Sequence, residues 1–111
     1  MPFDEIFPDK QKASKNAAKM AIRIVLEGRV QKVGLRQWIK QKATGLSVSG
    51  WVRNRTNGTV EAFFYGSESQ VRSVVKMCYK GPSFAFIKKI KEFPQVHIPS
   101  VSIEFMILPT I

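Results

Sequence analysis

The stretch GRVQKVGLR, residues 28–36, closes an apolar run and opens a helical pattern, and it carries three basic side chains and two glycines without a single acid. Residues of these types at this spacing suit the holding of an anion. A strand that runs through a short loop into a helix leaves backbone N–H groups unpaired beside the positive end of the helix dipole, and phosphate oxygens can satisfy them. Gly28 and Gly34 permit backbone angles and a close approach that side chains hinder, and the Arg36 guanidinium presents a planar fork of donors to two phosphate oxygens. Taken alone, the same residues also describe a solvated strand–helix loop with surface arginines.

The surrounding charge points the same way. The chain has 111 residues and a formal net charge of +10, from 18 Lys plus Arg against 8 Asp plus Glu. Such an excess favours an anionic partner: nucleic acid, a phosphate metabolite or an acidic membrane surface. Between Gly28 and Val60 lie Arg29, Lys32, Arg36, Lys40, Lys42, Arg53 and Arg55 with no Asp or Glu, so this segment could gather around one anion. The single cysteine, Cys78, excludes an internal disulfide framework and a zinc site of several cysteines, and it fits a reducing, cytoplasmic setting. No apolar stretch approaches the roughly 18 residues that span a membrane, and the opening twenty lack the apolar block of a secretory signal.

The length suits one domain. Residues 1–20 mix Pro, Lys, Ser and Asn without strong periodicity and read as a flexible N-terminal extension to a domain over 21–111. AIRIVLEGRV alternates as a strand, and Leu35, Trp38, Ile39, Ala43 and Leu46 then recur at helical spacing. SGWVRNR and TVEAFFYG read as paired strands, with Asn57-Gly58 supplying positive backbone angles to the hairpin between them. SESQVRSVVKMCYKGP reads as a second helix capped by Ser67 or Ser69, with Cys78 in its apolar stripe and Gly81-Pro82 as its stop. AFIKKIKEF and SVSIEFMIL read as further strands joined by the PQVHIP loop. The order βαββαβ with an added strand predicts an α+β, ferredoxin-like sandwich: an antiparallel four- to five-stranded sheet with two helices on one face.

GRVQKVGLR resembles the GRVQGVGFR loop of the acylphosphatases, and GWVRN followed by NGTVEA resembles that family's second signature. The resemblance runs from about residue 21 to 108. It implies that Arg36 is the substrate-binding arginine, that Asn54 is the catalytic asparagine, and that the backbone of Gln31, Lys32, Val33, Gly34 and Leu35 cradles the phosphate. Lys32 stands where the family usually has glycine, Leu35 where it usually has phenylalanine, and Arg55 where several members have threonine. At Lys32 a Cβ meets a special backbone conformation, and an ammonium adds attraction for phosphate.

The implied activity is hydrolysis of the carboxyl–phosphate bond of an acyl phosphate to a carboxylate and inorganic phosphate, by in-line attack of water. The leaving carboxylate needs little help from a general acid, so the tasks are to hold the phosphoryl group, neutralise its oxygens and place a water. An asparagine amide can orient that water although it is not a useful base. No Walker loop, HExxH or spaced acidic cluster is present, so neither a metal nor another cofactor is implied. The expected partner is a small-molecule acyl phosphate, with no membrane, no nucleic acid and no second copy of the chain.

Two other readings compete. A nucleic-acid-binding module of the same strand order could stack bases on Phe63 and Tyr65, which alternation sends to one sheet face with Phe64 on the other, although a basic, glycine-rich lead into that strand is absent. A degenerate family member could bind anions without turnover. Elsewhere, His97 reads as an exposed loop histidine, Trp38 and Trp51 as core residues, KKIK at 88–91 as a solvated strand edge, and Met77 and Met106 as gap fillers in the core.

Overall fold

Alternation within the strands determines which side chains the helices cover. The computed structural model describes residues 18–96 and 102–111. Its elements are β1 (Lys19–Arg29), α1 (Leu35–Gly45), β2 (Ser49–Asn54), β3 (Val60–Ser67), α2 (Glu68–Lys80), β4 (Phe86–Gln95) and β5 (Met106–Ile107), and the sheet order is β4-β1-β3-β2-β5. Ile22, Ile24 and Leu26 of β1 and Val60, Ala62 and Phe64 of β3 are buried on one face, against Leu35, Ile39 and Ala43 of α1 and Val71, Val74 and Cys78 of α2. Phe105 closes this core, its ring stacked on Phe64 with centroids 5.8 Å apart. The two-helix, one-sheet sandwich expected from the sequence is the architecture observed.

Several details differ from expectation. The fifth strand pairs parallel with β2, so the sheet is mixed. Only Met106 and Ile107 of the predicted last strand enter the sheet, Ser102–Phe105 lie outside it, and residues 100 and 101 fall outside the described residues. In the other direction, β4 runs on through Pro94 to Gln95, which edge position permits because no further strand asks for the missing N–H. Lys19 and Met20 already pair with β3, so the sheet begins inside the expected extension, while residues 1–17 and His97 lie outside the described residues. In the hairpin loop only Gly58 takes a positive φ (91°), while the Asn57 side chain accepts hydrogen bonds from the Thr59 amide and hydroxyl. Met77 and Met106 are exposed instead of filling the core.

The uncovered sheet face is occupied by its own side chains. Glu61, only 5% exposed, accepts hydrogen bonds from Arg23 at 3.1 Å and Arg53 at 2.9 Å. The Arg23 guanidinium lies over the Phe93 ring, the Arg53 guanidinium over Trp51, and Trp51 in turn stacks on Phe63. Phe63 is 3% exposed. A base-stacking platform needs open ring faces; of the two rings expected to form it, Phe63 is buried against Trp51 and Tyr65 is half-buried, which weakens the nucleic-acid reading.

Candidate active site

The loop begins where β1 leaves the sheet. Pairing with β4 shifts at a bulge between Glu27 and Gly28, and Gly28 takes φ 132°, where an added Cβ would overlap the Phe86 carbonyl oxygen. A bulge bends its strand and re-aims the chain beyond it, which here is the loop. Val30 then turns into the core, 2% exposed, and Leu35 anchors the far end as the first residue of α1. Between these two anchors Lys32 (φ 63°) and Gly34 (φ 79°) are both left-handed. Left-handed residues in a short loop turn N–H groups toward its concave side, the arrangement of anion nests.

Among the described residues nothing competes for those donors. The N-cap of α1 is Gly34, which has no side chain to cap the helix, and the first turn contains no acid. Among the described residues, no backbone acceptor takes the N–H groups of residues 31–34. Helices ordinarily recruit Ser, Thr, Asp or Asn to satisfy such groups, so an uncapped, acid-free N-terminus keeps its donors and its partial positive charge available to a ligand. A pocket of about 260 Å³ opens at this point, lined by Val30, Lys32, Gly34, Leu35, Arg36, Gln37 and Ile107. Within the described residues neither Lys32 nor Arg36 is ion-paired.

Gln31 fixes the loop against the β2–β3 hairpin. Its side-chain amide donates to the carbonyl oxygens of Arg55 and Thr59, each at 2.7 Å. Asn54 ends β2 immediately before Arg55, and alternation from the buried Val52 puts it on the helix-covered face, the same side as α1. The C-terminal segment holds its backbone, because the Ile111 amide donates to the Asn54 carbonyl oxygen at 3.2 Å. The Asn54 side-chain oxygen, Oδ1, is buried and accepts no hydrogen bond among the described residues. Buried polar atoms without a partner are uncommon, and this one is closed to solvent where it stands.

The expected site residues therefore divide. Lys32, Gly34, Leu35 and Arg36 line one pocket. Val33 packs against the core, Gln31 reaches the hairpin, and Asn54 stands at the strand end beside that hairpin contact, outside the pocket lining. Arg53, which the sequence had placed near the loop, does not join this pocket, because it faces the other side of the sheet and is engaged by Glu61 and Trp51. The side-chain role of Gln31 escaped the sequence reading, since nothing in the spacing tells which carbonyls a glutamine will find. Among the described residues no group of three or more His, Cys, Asp or Glu could hold a metal ion, and no helix is long and apolar enough to cross a membrane. Burial pushes the Cys78 thiol up to about 12, which leaves it protonated and without nucleophilic use at neutral pH.

Comparison with known proteins bears on the same residues. The acylphosphatase family model matches residues 22–103. An acylphosphatase of Nitrobacter winogradskyi is 43% identical over 72 residues, which are 65% of this chain and 73% of that protein. Another, of Bradyrhizobium diazoefficiens, is 32% identical over 98 residues, 85% of this chain and 99% of its own. The crystal structure of acylphosphatase from Bacillus subtilis aligns with a TM-score of 0.76 at 30% identity, over 80% of this chain and 98% of that one. With the match running through loop, helix and hairpin alike, the chain belongs to the acylphosphatase family.

Proposed function

We propose that this protein hydrolyses acyl phosphates, with the loop of residues 31–35 and Arg36 holding the phosphoryl group and Asn54 placing the water. The observation that carries the reading is the uncapped, acid-free start of α1, where free loop N–H groups stand beside Arg36. Those donors bind the equatorial oxygens and gain strength as charge develops on them in the transition state. The water-placing role of Asn54 follows from the family resemblance: its carboxamide orients a water by hydrogen bonding without deprotonating it, which requires the amide to turn Oδ1 out of its buried position. Water oxygen attacks phosphorus, and the bond from phosphorus to the bridging oxygen breaks. Its electron pair leaves on the carboxylate, and the water proton passes to a phosphate oxygen. Because a carboxylic acid ionises near pH ~4, the leaving group departs as an anion without a protein acid.

The reading extends to a monomeric cytoplasmic enzyme without a cofactor. A lone buried cysteine fits a reducing compartment, and lysines 88, 89 and 91 along the outer strand β4 discourage edge pairing with another copy.

The test is release of phosphate from acetyl phosphate with and without a chelator. Turnover should be indifferent to the chelator, competitively inhibited by inorganic phosphate, and reduced on the order of 10²-fold or more by Asn54→Ala and by Arg36→Ala. Asn54→Ala should act on kcat with little change in phosphate inhibition. Full turnover by that variant would remove the water-placing role, and phosphate binding without any turnover in the unaltered protein would leave only an anion-binding relative.

A further inference from the structure

Among the described residues, Lys32 is the one amine-bearing residue that lines the pocket at the start of α1. The neighbouring side chains of Val30, Leu35 and Ile107 are hydrocarbon, the Gln37 amide is not a nucleophile, and the Arg36 guanidinium stays protonated with no lone pair to give. A lysine that sheds a proton becomes an amine, and amines attack carbonyl carbon. The backbone of Lys32 is fixed from both sides: Gln31 is tied to the hairpin by its two hydrogen bonds of 2.7 Å, and Val33 packs against the core. Its own side chain is exposed and makes no ion pair within the described residues, unlike Lys91, whose Nζ lies 3.4 Å from a Glu27 carboxylate oxygen. A pinned backbone with a flexible four-carbon stem lets the nitrogen swing over the pocket mouth.

An acyl phosphate has two electrophilic atoms. Attack of water at phosphorus is the hydrolysis proposed above. Attack at the carbonyl carbon, on the other side of the bridging oxygen, makes the same molecule an acylating agent whose leaving group is phosphate. A phosphoryl group held by the loop amides and Arg36 brings that carbon beside a residue of the loop itself, and such proximity raises the rate far above that of an amine meeting the same reagent in solution. Resting on the phosphoryl-binding reading above, we propose that Lys32 is a site of self-acylation by bound acyl phosphate. The ammonium gives one proton to solvent, and the nitrogen lone pair forms a bond to the carbonyl carbon. The bond from that carbon to the bridging oxygen breaks with its electron pair on phosphate, which takes the second proton from nitrogen. The products are an Nε-acyl-lysine and inorganic phosphate, with nothing oxidised or reduced and no co-reactant. The new amide carries no charge, so each acylation removes a cation from the pocket wall and weakens the hold on phosphoryl groups.

The experiment incubates the full chain with acetyl phosphate and follows acetylation of individual lysines by peptide mass spectrometry, with phosphate release measured in the same sample. Lys76 and Lys80, exposed on α2 and outside the pocket lining, are the internal reference. Lys32 should acetylate about tenfold or more faster than either, and inorganic phosphate should bring it down to their level without slowing theirs. Arg36→Ala should have the same effect as added phosphate. Acetic anhydride, an acyl donor without a phosphoryl group, should not single out Lys32. After exposure to acetyl phosphate the inhibition constant for inorganic phosphate should rise several-fold in the parent and stay unchanged in Lys32→Arg, which keeps a cation but has no amine to acylate. Acetylation of Lys32 no faster than the reference lysines overturns the proposal, and so does an excess that acetic anhydride reproduces or that phosphate fails to suppress; phosphate release in the same sample then leaves the hydrolytic reading intact. Absence of both turnover and protection by phosphate overturns the phosphoryl reading and the self-acylation with it.

Discussion

At the scale of single residues the most informative departure is Lys32. A lysine at φ 63° sits where its Cβ crowds the backbone, a conformation costing roughly 1–2 kcal/mol for a residue with a side chain and nothing for glycine. The loop has kept the left-handed turn in spite of that cost. The residue lines the same pocket as Arg36, and its ammonium is not ion-paired within the described residues. Strain of this sort persists at sites where the surrounding structure over-determines it. Lys32→Gly removes both the strain and the charge, and the two effects have opposite consequences. Relief of strain, less the roughly 0.5–1 kcal/mol of added backbone entropy in the unfolded chain, leaves a net gain of about 0.5–1 kcal/mol, measurable by urea denaturation. Loss of the ammonium should raise the inhibition constant for inorganic phosphate several-fold. An unchanged inhibition constant would show that Lys32 only lines the pocket, and a loss of stability would show that its side-chain packing outweighs the backbone strain.

At the scale of elements, the loop, α1 and the β2–β3 hairpin form one unit, and Gln31 is the tie. Most of these elements were legible in the sequence because their apolar periods differ: Ile22, Ile24 and Leu26 repeat every second residue, whereas Leu35, Ile39 and Ala43 recur on one helical face. The loop of residues 28–36 stood out because its features are local, with glycines, cations and a helix start inside nine residues. What could not be read depends on which distant segments meet. The parallel pairing of β5 with β2 rests on two residues, the Phe84 ring comes from a turn some fifty residues from Gly34, and the Arg53 guanidinium is claimed by Glu61 from the neighbouring strand. Gln31 belongs to the same category, since its acceptors Arg55 and Thr59 lie across the hairpin. Truncation by Gln31→Ala leaves those two carbonyl oxygens without this donor and frees the loop from its neighbour. We expect a loss of about 1–3 kcal/mol in urea denaturation, the net worth of two hydrogen bonds, together with weaker phosphate inhibition. A variant as stable as the parent and equally inhibited by phosphate would mean that the anchors at Val30 and Leu35 hold the loop by themselves.

For the whole molecule, the excess of positive charge and the dryness of the core set how stability varies with pH. The +10 formal charge draws phosphorylated ligands toward a basic surface, but cations are not gathered at one place: Arg23 and Arg53 spend theirs on Glu61 behind the sheet, while Lys32 and Arg36 keep theirs at the pocket. In the core the decisive titrating group is Cys78, 1% exposed on the sheet-facing side of α2. Burial raises its thiol from an ordinary 9.0 to about 12, because the thiolate is poorly tolerated in an apolar surrounding. Below pH 9 the thiol is neutral in both the folded and the unfolded chain, and this part of the stability is fully present. Above it the unfolded chain loses the proton first, so stability falls from about pH 9 and goes on falling until the folded thiol ionises near 12, with a slope of up to about 1.4 kcal/mol per pH unit. Tyr79, whose pKa is raised by its hydrogen bond to Glu92, pulls the same way over an alkaline range of its own, so the Cys78 contribution must be isolated by difference. Cys78→Ala keeps the position apolar and cannot ionise. It should be less stable than the parent at neutral pH because of the smaller side chain, yet its stability should decline less steeply than the parent's between pH 9 and 11, and parallel curves would mean that the thiol finds a way to ionise without unfolding the chain.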